Sequence, residues 1–198
     1  MQVLPAGPSA LVAQPADPAD VPSLYADLRR AVACDDLVPG AATVLLDGLR
    51  DVEAARTYLA AWTPPDRSTL DAGSEVELPT TYDGVDLDEV AELWGMTRAE
   101  AVATHTGIEF TVAFVGFSPG FAYCTGLPPE LAVPRLERPR ARVPAGSVAL
   151  AGQYAGVYPS PSPGGWRLLG HTDAALWDVT REEPALLTPG IRVRFTAV

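Results

Sequence analysis

A chain of 198 residues is long enough for one large domain or two small ones, and its 47% hydrophobic content fits a packed core rather than wholesale disorder. A formal net charge of −11 argues against nucleic acid, whose phosphates need a basic footprint, and against an anionic membrane surface. Two cysteines, Cys34 and Cys124, are too few and too far apart for a disulfide framework or a zinc site. With no basic, apolar leader at the start, they read as reduced thiols of a cytoplasmic protein.

Residues 1–14 alternate apolar residues around Pro5-Ala-Gly-Pro8, which predicts a short hairpin, and Pro15 to Pro22 reads as a turn-rich connector. Leu24, Leu28, Ala31 and Val32 have helical spacing, with Ser23 or Asp20 placed to cap them. Val38 to Leu46 reads as a loop and one buried strand. Val52, Ala55, Leu59 and Trp62 mark a second helix stopped by Pro64-Pro65. This βαβα layout predicts a small α+β domain over residues 1–76, with residues 64–76 as the linker leaving it.

Val76 to Tyr82 is a predicted strand and Asp83-Gly84 a turn; Asp86 can cap a helix through Leu87, Val90, Ala91 and Trp94 that ends at Gly95. Thr97-Arg-Ala-Glu100 fits a capping box for a helix reaching His105, placed at the end where a cation is favourable. Paired short helices can suggest a helix-turn-helix, but the charge balance makes a structural role the better reading. After the strand Ile108–Val115, short strands separated by Gly/Pro turns, ending with Ile191–Phe195, predict a mainly-β barrel or sandwich over residues 77–198.

Chemistry concentrates between Phe114 and Trp166. In Gly116-Phe-Ser-Pro-Gly120 a proline-set turn and two glycines leave backbone N–H groups free to hold an oxyanion; the plainer alternative is a barrel turn with unusual dihedrals. Arg135, Arg138, Arg140 and Arg142 suit an anionic substrate or an acidic partner surface, or else pair with Glu130 and Glu137. Arg135 and Arg140 stand out because each follows a stiffening proline. His171 and Asp173, two apart, would face the same way on a strand, so the carboxylate could orient the imidazole for acid–base work. Ser147 invites completion of a Ser-His-Asp set but lacks the G-x-S-x-G context, and an ordinary His–Asp pair is the simpler account. No G-x-x-x-x-G-K-[ST] loop, biotin-carrier lysine or clustered metal ligands are present, so the chain does not read as a complete enzyme by itself.

The ordered set Tyr82-Asp-Gly-Val-Asp-Leu87, Gly116-Phe-Ser-Pro-Gly-Phe-Ala-Tyr123, Gly126-Leu-Pro128, Pro134-Arg135, Val143-Pro-Ala-Gly-Ser-Val148, Ser162-Pro-Gly-Gly-Trp166 and Leu186-Leu-Thr-Pro-Gly190 resembles the family of the 5-oxoprolinase B subunit. That family is also described as allophanate hydrolase subunit 1 or carboxyltransferase subdomain C/D, and includes the kinase inhibitor KipI. The resemblance implies a cyclophilin-like β-barrel after a small α+β domain. It also implies a homologous partner, the 5-oxoprolinase C subunit or allophanate hydrolase subunit 2, and a third subunit for the ATP-dependent opening of 5-oxoproline to glutamate. ATP would be bound by the assembled complex. The expected site then comprises Gly116, Phe117, Ser118, Gly120, Tyr123, Arg135, Arg140 and Ser147 for a small anionic substrate, with His171 and Asp173 as catalytic candidates. A KipI-like inhibitor of a histidine kinase, or a carboxyltransferase subunit acting on urea or allophanate, are the competing expectations. Gly170-His-Thr-Asp173 in place of a common Gly-Arg-Thr-Pro, Cys124-Thr125 in place of Leu-Gly, and Trp177 in place of Phe depart from the pattern.

Overall fold

Alternating burial along Ala10–Gln14 (β2) turns Leu11 and Ala13 inward, and Val44–Asp47 (β4) does the same with Val44 and Leu46. With Gln2–Gly7 (β1) and Asp36–Pro39 (β3) they form an antiparallel sheet ordered β1-β2-β4-β3. Helices Val21–Ala31 (α1) and Val52–Ala61 (α2) bury Leu24, Leu28, Ala55 and Leu59 in the same core. The computed structural model describes residues 1–65 and 74–198. Its contacts divide the chain into two compact units, Met1–Ala72 and Gly73–Val198.

Two local expectations change in the first unit. The loop and single strand read over residues 38–46 are a hairpin, because the Gly40 amide donates to the Thr43 carbonyl at 2.7 Å and folds β3 onto β4. The layout is therefore ββαββα. Neither Ser23 nor Asp20 makes a side-chain cap on α1; Asp17 instead caps the single 3-10 turn before it. Most of the expected linker, residues 66–73, lies outside the described residues.

In the second unit, Glu75–Thr80 (β5) leads into helices Leu87–Trp94 (α3) and Arg98–Gly107 (α4). The strands Phe110–Val115 (β6), Ala122–Thr125 (β7), Arg140–Val143 (β8), Ser147–Ala151 (β9), Tyr154–Val157 (β10), Ser162–Gly164 (β11), Arg167–His171 (β12) and Arg192–Ala197 (β13) follow. Seven of these strands make one sheet, ordered β12-β9-β10-β7-β6-β13-β5, while β8 and β11 pair separately. The sheet bends round until its ends meet: Thr81, just past β5, and His171, the last residue of β12, exchange two backbone hydrogen bonds of 2.9 Å. The result is a nearly closed barrel.

That seam depends on missing side chains. A Cβ at Gly170 would lie 2.1 Å from the Thr81 carbonyl oxygen, and one at Gly84 2.3 Å from that of Leu168. Beside the seam, Asp86 starts α3 but does not cap it through its side chain. One carboxylate oxygen accepts from Arg140 at 2.6 Å and the other from the Leu168 amide at 2.7 Å, tying the helix to the barrel wall. The capping box on α4 forms as expected, with Thr97 and Glu100 bonding reciprocally.

Two apolar clusters fill the second unit. Leu78, Phe110, Val112, Leu150 and Phe195 belong to the larger one, and Phe121, Val143, Tyr158 and Trp166 to a smaller aromatic one. His105 belongs to the first environment rather than to a helix end facing water. It is fully buried, 4.7 Å from the Phe195 ring and 5.2 Å from Phe110 (centroid to centroid), and burial pushes its imidazole down to about 3. The expected cation at the helix terminus is a neutral core residue.

Candidate functional site

The loop between β6 and β7 is built from local constraints. Phe121 donates back to the Ser118 carbonyl at 3.0 Å, and Gly116 donates to the Phe121 carbonyl at 3.2 Å. Closing so tight a turn sends Gly120 to φ +81°, where a Cβ would meet that of Trp177 at 2.8 Å. Phe117 takes φ +67°, the one non-glycine residue in that region among the described residues. A left-handed bulky residue costs about 1–2 kcal/mol, and here its side chain is also 61% exposed. Strain coupled to exposure of a large apolar ring is a mark of function rather than packing. Among the described residues, the Phe117 and Gly120 amides have no hydrogen-bond acceptor.

The loop has two sides. On one, Phe117, Phe121, Tyr123, Tyr158 and Trp166 line a small cavity of about 40 Å³ with Arg135 at its rim. The aromatic groups meet edge to face: Phe121 lies 5.3 Å from Trp166, 5.2 Å from Tyr158 and 5.3 Å from Phe117. Burial raises the Tyr123 and Tyr158 phenols above their ordinary range, and the Arg135 charge opposes that rise at both. Both phenols therefore stay protonated and able to donate at neutral pH. The other side of the loop faces a larger hollow of about 320 Å³, completed by Trp177, Ala185, Thr188 and Pro189.

The four clustered arginines separate into two roles. Arg140 turns inward to Asp86 and to the Trp166 carbonyl, so it braces the wall instead of reaching the cavity. Arg98, Arg167, Arg181, Arg192 and Arg194 likewise meet carboxylates, Arg167 through Glu89. Arg135, Arg138 and Arg142 meet none among the described residues, so the alternative of pairing with Glu130 and Glu137 does not form. Arg135 combines an unpaired guanidinium with an aromatic-lined recess, an arrangement chemically able to hold an oxyanion with its remainder packed on rings.

The remaining candidates fall elsewhere. His171 Nδ1 lies 2.9 Å from Asp83, not Asp173, because β12 ends at His171 and the alternation that would align Asp173 stops with it. His171 and Asp173 do share a different hollow of about 240 Å³ with Thr81 and Thr172. Ser147 is paired with His171 across β9 and β12, but its hydroxyl donates to the Pro144 carbonyl at 2.9 Å and is buried. No Ser-His-Asp relay results. The Trp166 and Tyr158 walls of the cavity were not among the expected site residues. Proline and glycine spacing marks the turns around them, but nothing local shows that β10 and the turn before β12 bring their rings together.

Residues 1–187 match the family of the carboxyltransferase domain, subdomain C and D. The 5-oxoprolinase B subunit of Escherichia coli O157:H7 is 47% identical over 123 residues, covering 61% of this chain and 56% of its own length. Its namesake from Haemophilus influenzae (strain ATCC 51907 / DSM 11121 / KW20 / Rd) is 42% identical over 126 residues, covering 62% and 59%. The chain thus spans a little over half the length of these relatives. Among solved structures, TTHA0988 superposes with a TM-score of 0.80 at 34% identity, covering 96% of this chain and 40% of that one. A conserved uncharacterized protein from Pyrococcus horikoshii, PH0987, matches end to end, with a TM-score of 0.61, 30% identity and coverages of 100% and 97%. The urea amidolyase of K. lactis shares the fold alone, with a TM-score of 0.74 at 18% identity over 99% of this chain and 15% of that one. The resemblance read from the ordered motifs is borne out, and the chain belongs to the family of the carboxyltransferase domain, subdomain C and D.

Proposed function

We propose that this chain is a subunit of an ATP-dependent 5-oxoprolinase, which opens 5-oxo-L-proline to L-glutamate. The observation that carries the reading is the 47% identity to a protein named as the B subunit of 5-oxoprolinase. Finer parts of the proposal are a small α+β domain over residues 1–76, a cyclophilin-like barrel over 77–198, and a homologous barrel partner, without which the chain is inactive.

Within the site, Arg135 would take the substrate carboxylate, and the aromatic walls would exclude water from that ion pair and strengthen it. The Phe117 and Gly120 amides would stabilise negative charge that develops on an oxygen brought to the loop. A cavity of about 40 Å³ with one cation at its rim fits a single oxyanion group and not a nucleotide. ATP would be bound by the assembled complex, and no step is assigned to it in this chain. His171 and Asp173 line another hollow and receive no step either.

Co-expression with the neighbouring subunits, followed by measurement of glutamate released from 5-oxoproline with ATP, tests the reading. Two arginine variants sharpen it. Arg135→Gln is expected to raise the KM for 5-oxoproline by about tenfold or more with little change in stability, the loss of one charge-assisted contact of about 1.5–3 kcal/mol. Arg140→Gln should act on stability instead, because it leaves the buried Asp86 carboxylate without its charged partner. An assembled, soluble complex that releases no glutamate sinks the proposal.

A further inference from the structure

Residues 134–136 belong to no helix or strand, so no ladder of hydrogen bonds fixes the direction in which Arg135 points. Two contacts with the segment leading into β12 hold them instead. The Leu136 amide donates to the Gly165 carbonyl at 2.8 Å, and on the other side of Arg135 the Pro134 carbonyl accepts from Arg167 Nε at 3.2 Å. Between these two bonds, one segment contributes Arg135 and the other Trp166, and both line the same cavity. Proline has no N–H, so the carbonyl is the only backbone group by which residue 134 can be held.

Arg167 is the one arginine buried among the described residues, at 8% exposure. A buried cation is costly unless it is paired and hydrogen-bonded, and an apolar side chain would fill the wall as well. An apolar side chain could not join Glu89 of α3 to the Pro134 carbonyl, as Arg167 does. Arg140 repeats the arrangement, joining Asp86 to the Trp166 carbonyl at 3.3 Å. Asp86 and Glu89 are three residues apart, so one face at the start of α3 carries both acids. Each arginine bridges that face to the backbone beside the cavity. The two bridges differ in one respect. The Asp86 side chain is buried, whereas that of Glu89 is 52% exposed and can be solvated when its partner changes.

We propose that Arg167 is a positioning residue for Arg135: by bridging Glu89 to the Pro134 carbonyl, it aims the Arg135 guanidinium across the rim of the aromatic cavity at the substrate carboxylate. The inference rests on the reading of Arg135 as the group that takes this carboxylate, and it places the control of that contact on α3.

The test has two arms. Arg167→Lys keeps a cation beside Glu89, but its single nitrogen cannot also serve the Pro134 carbonyl. In the assembled complex this variant should raise the KM for 5-oxoproline about three- to tenfold and leave kcat unchanged. The double variant Arg135→Gln/Arg167→Lys should have the KM of Arg135→Gln alone, because the group that Arg167 aims is gone. The second arm needs neither ATP nor a partner: the 15N-labelled chain is titrated with acetate while the Trp166 indole N–H is followed, assigned by its loss in Trp166→Phe. Saturable movement is expected in the parent chain. In Arg167→Lys it should require about three- to tenfold more acetate, and the Leu136 amide should exchange faster. Additive KM losses, a fall in kcat at unchanged KM, no saturable response in the parent chain, or an equal acetate response in Arg167→Lys overturns the assignment. A complex that releases no glutamate, with the acetate arm as expected, sinks the proposed activity and leaves the positioning role standing.

Discussion

With Nδ1 2.7 Å from the Tyr82 hydroxyl and Nε2 unpartnered in an aromatic pocket, His105 is held neutral by its surroundings. Its folded-state value of about 3 lies far below the value of about 6.5 expected when unfolded. Above pH 6.5 both states are neutral, and His105 adds no pH dependence. As pH falls from 6.5 towards 3 the unfolded chain takes up a proton that the folded chain refuses, so stability falls by about 1.4 kcal/mol per pH unit from this group. Urea unfolding at pH 7, 6 and 5 should show that slope, and His105→Phe should flatten it. Equal slopes in the two proteins would contradict the assignment. The sequence offered the helix register of His105 but not its burial, which depends on Phe110 and Phe195 arriving from β6 and β13. Arg135 and Arg140 teach the same lesson. Each follows a proline, and only the distant Asp86 separates the brace from the free cation.

At the scale of elements, signals confined to one turn of chain read well. The capping box at Thr97–Glu100 and the glycine stop at Gly95, φ +67°, were both visible because every partner lies within a few residues. Asp86 was legible as a helix start yet misread as a cap, since its partners Arg140 and Leu168 lie 54 and 82 positions away. The barrel seam was equally hidden. It rests on Thr81 and His171 and on the absence of a side chain at Gly170, whose substitution would drive a Cβ to 2.1 Å from the Thr81 oxygen. Backbone atoms cannot yield as a flexible side chain can, so Gly170→Ala must part the seam or distort β12. A loss of about 1–3 kcal/mol is expected, as for overpacked sites. It is measured as a lower urea midpoint, with amide exchange accelerating at Thr81 and His171. Unchanged protection at both amides would show that the seam absorbs the methyl group.

For the whole molecule, the decisive feature is that each unit has apolar clusters of its own among the described residues. The cluster around Leu11, Leu24 and Leu59 draws only on residues before 66, and those around Phe110 and Phe121 only on residues after 73. Composition and hydrophobic spacing made both cores legible. The ring closure that shapes the larger one was not, because strand order depends on long-range pairing. Residues 74–198 expressed alone are therefore expected to fold, with the sharp near-ultraviolet dichroism of packed aromatics and a cooperative urea transition. The starting point matters. Pairing of β5 with β13 is parallel and runs from Glu75–Arg192 to Thr80–Ala197, so the fragment's two ends are stitched together along six residue pairs. A fragment beginning at Thr81 loses that strand, bares the β13 edge and removes the chain that holds Thr81 against His171. It should retain far-ultraviolet signal but lose the near-ultraviolet bands and bind a hydrophobic dye, as expanded states do. If the longer fragment behaves like the shorter one, its core requires the preceding residues and the two units are one folding body.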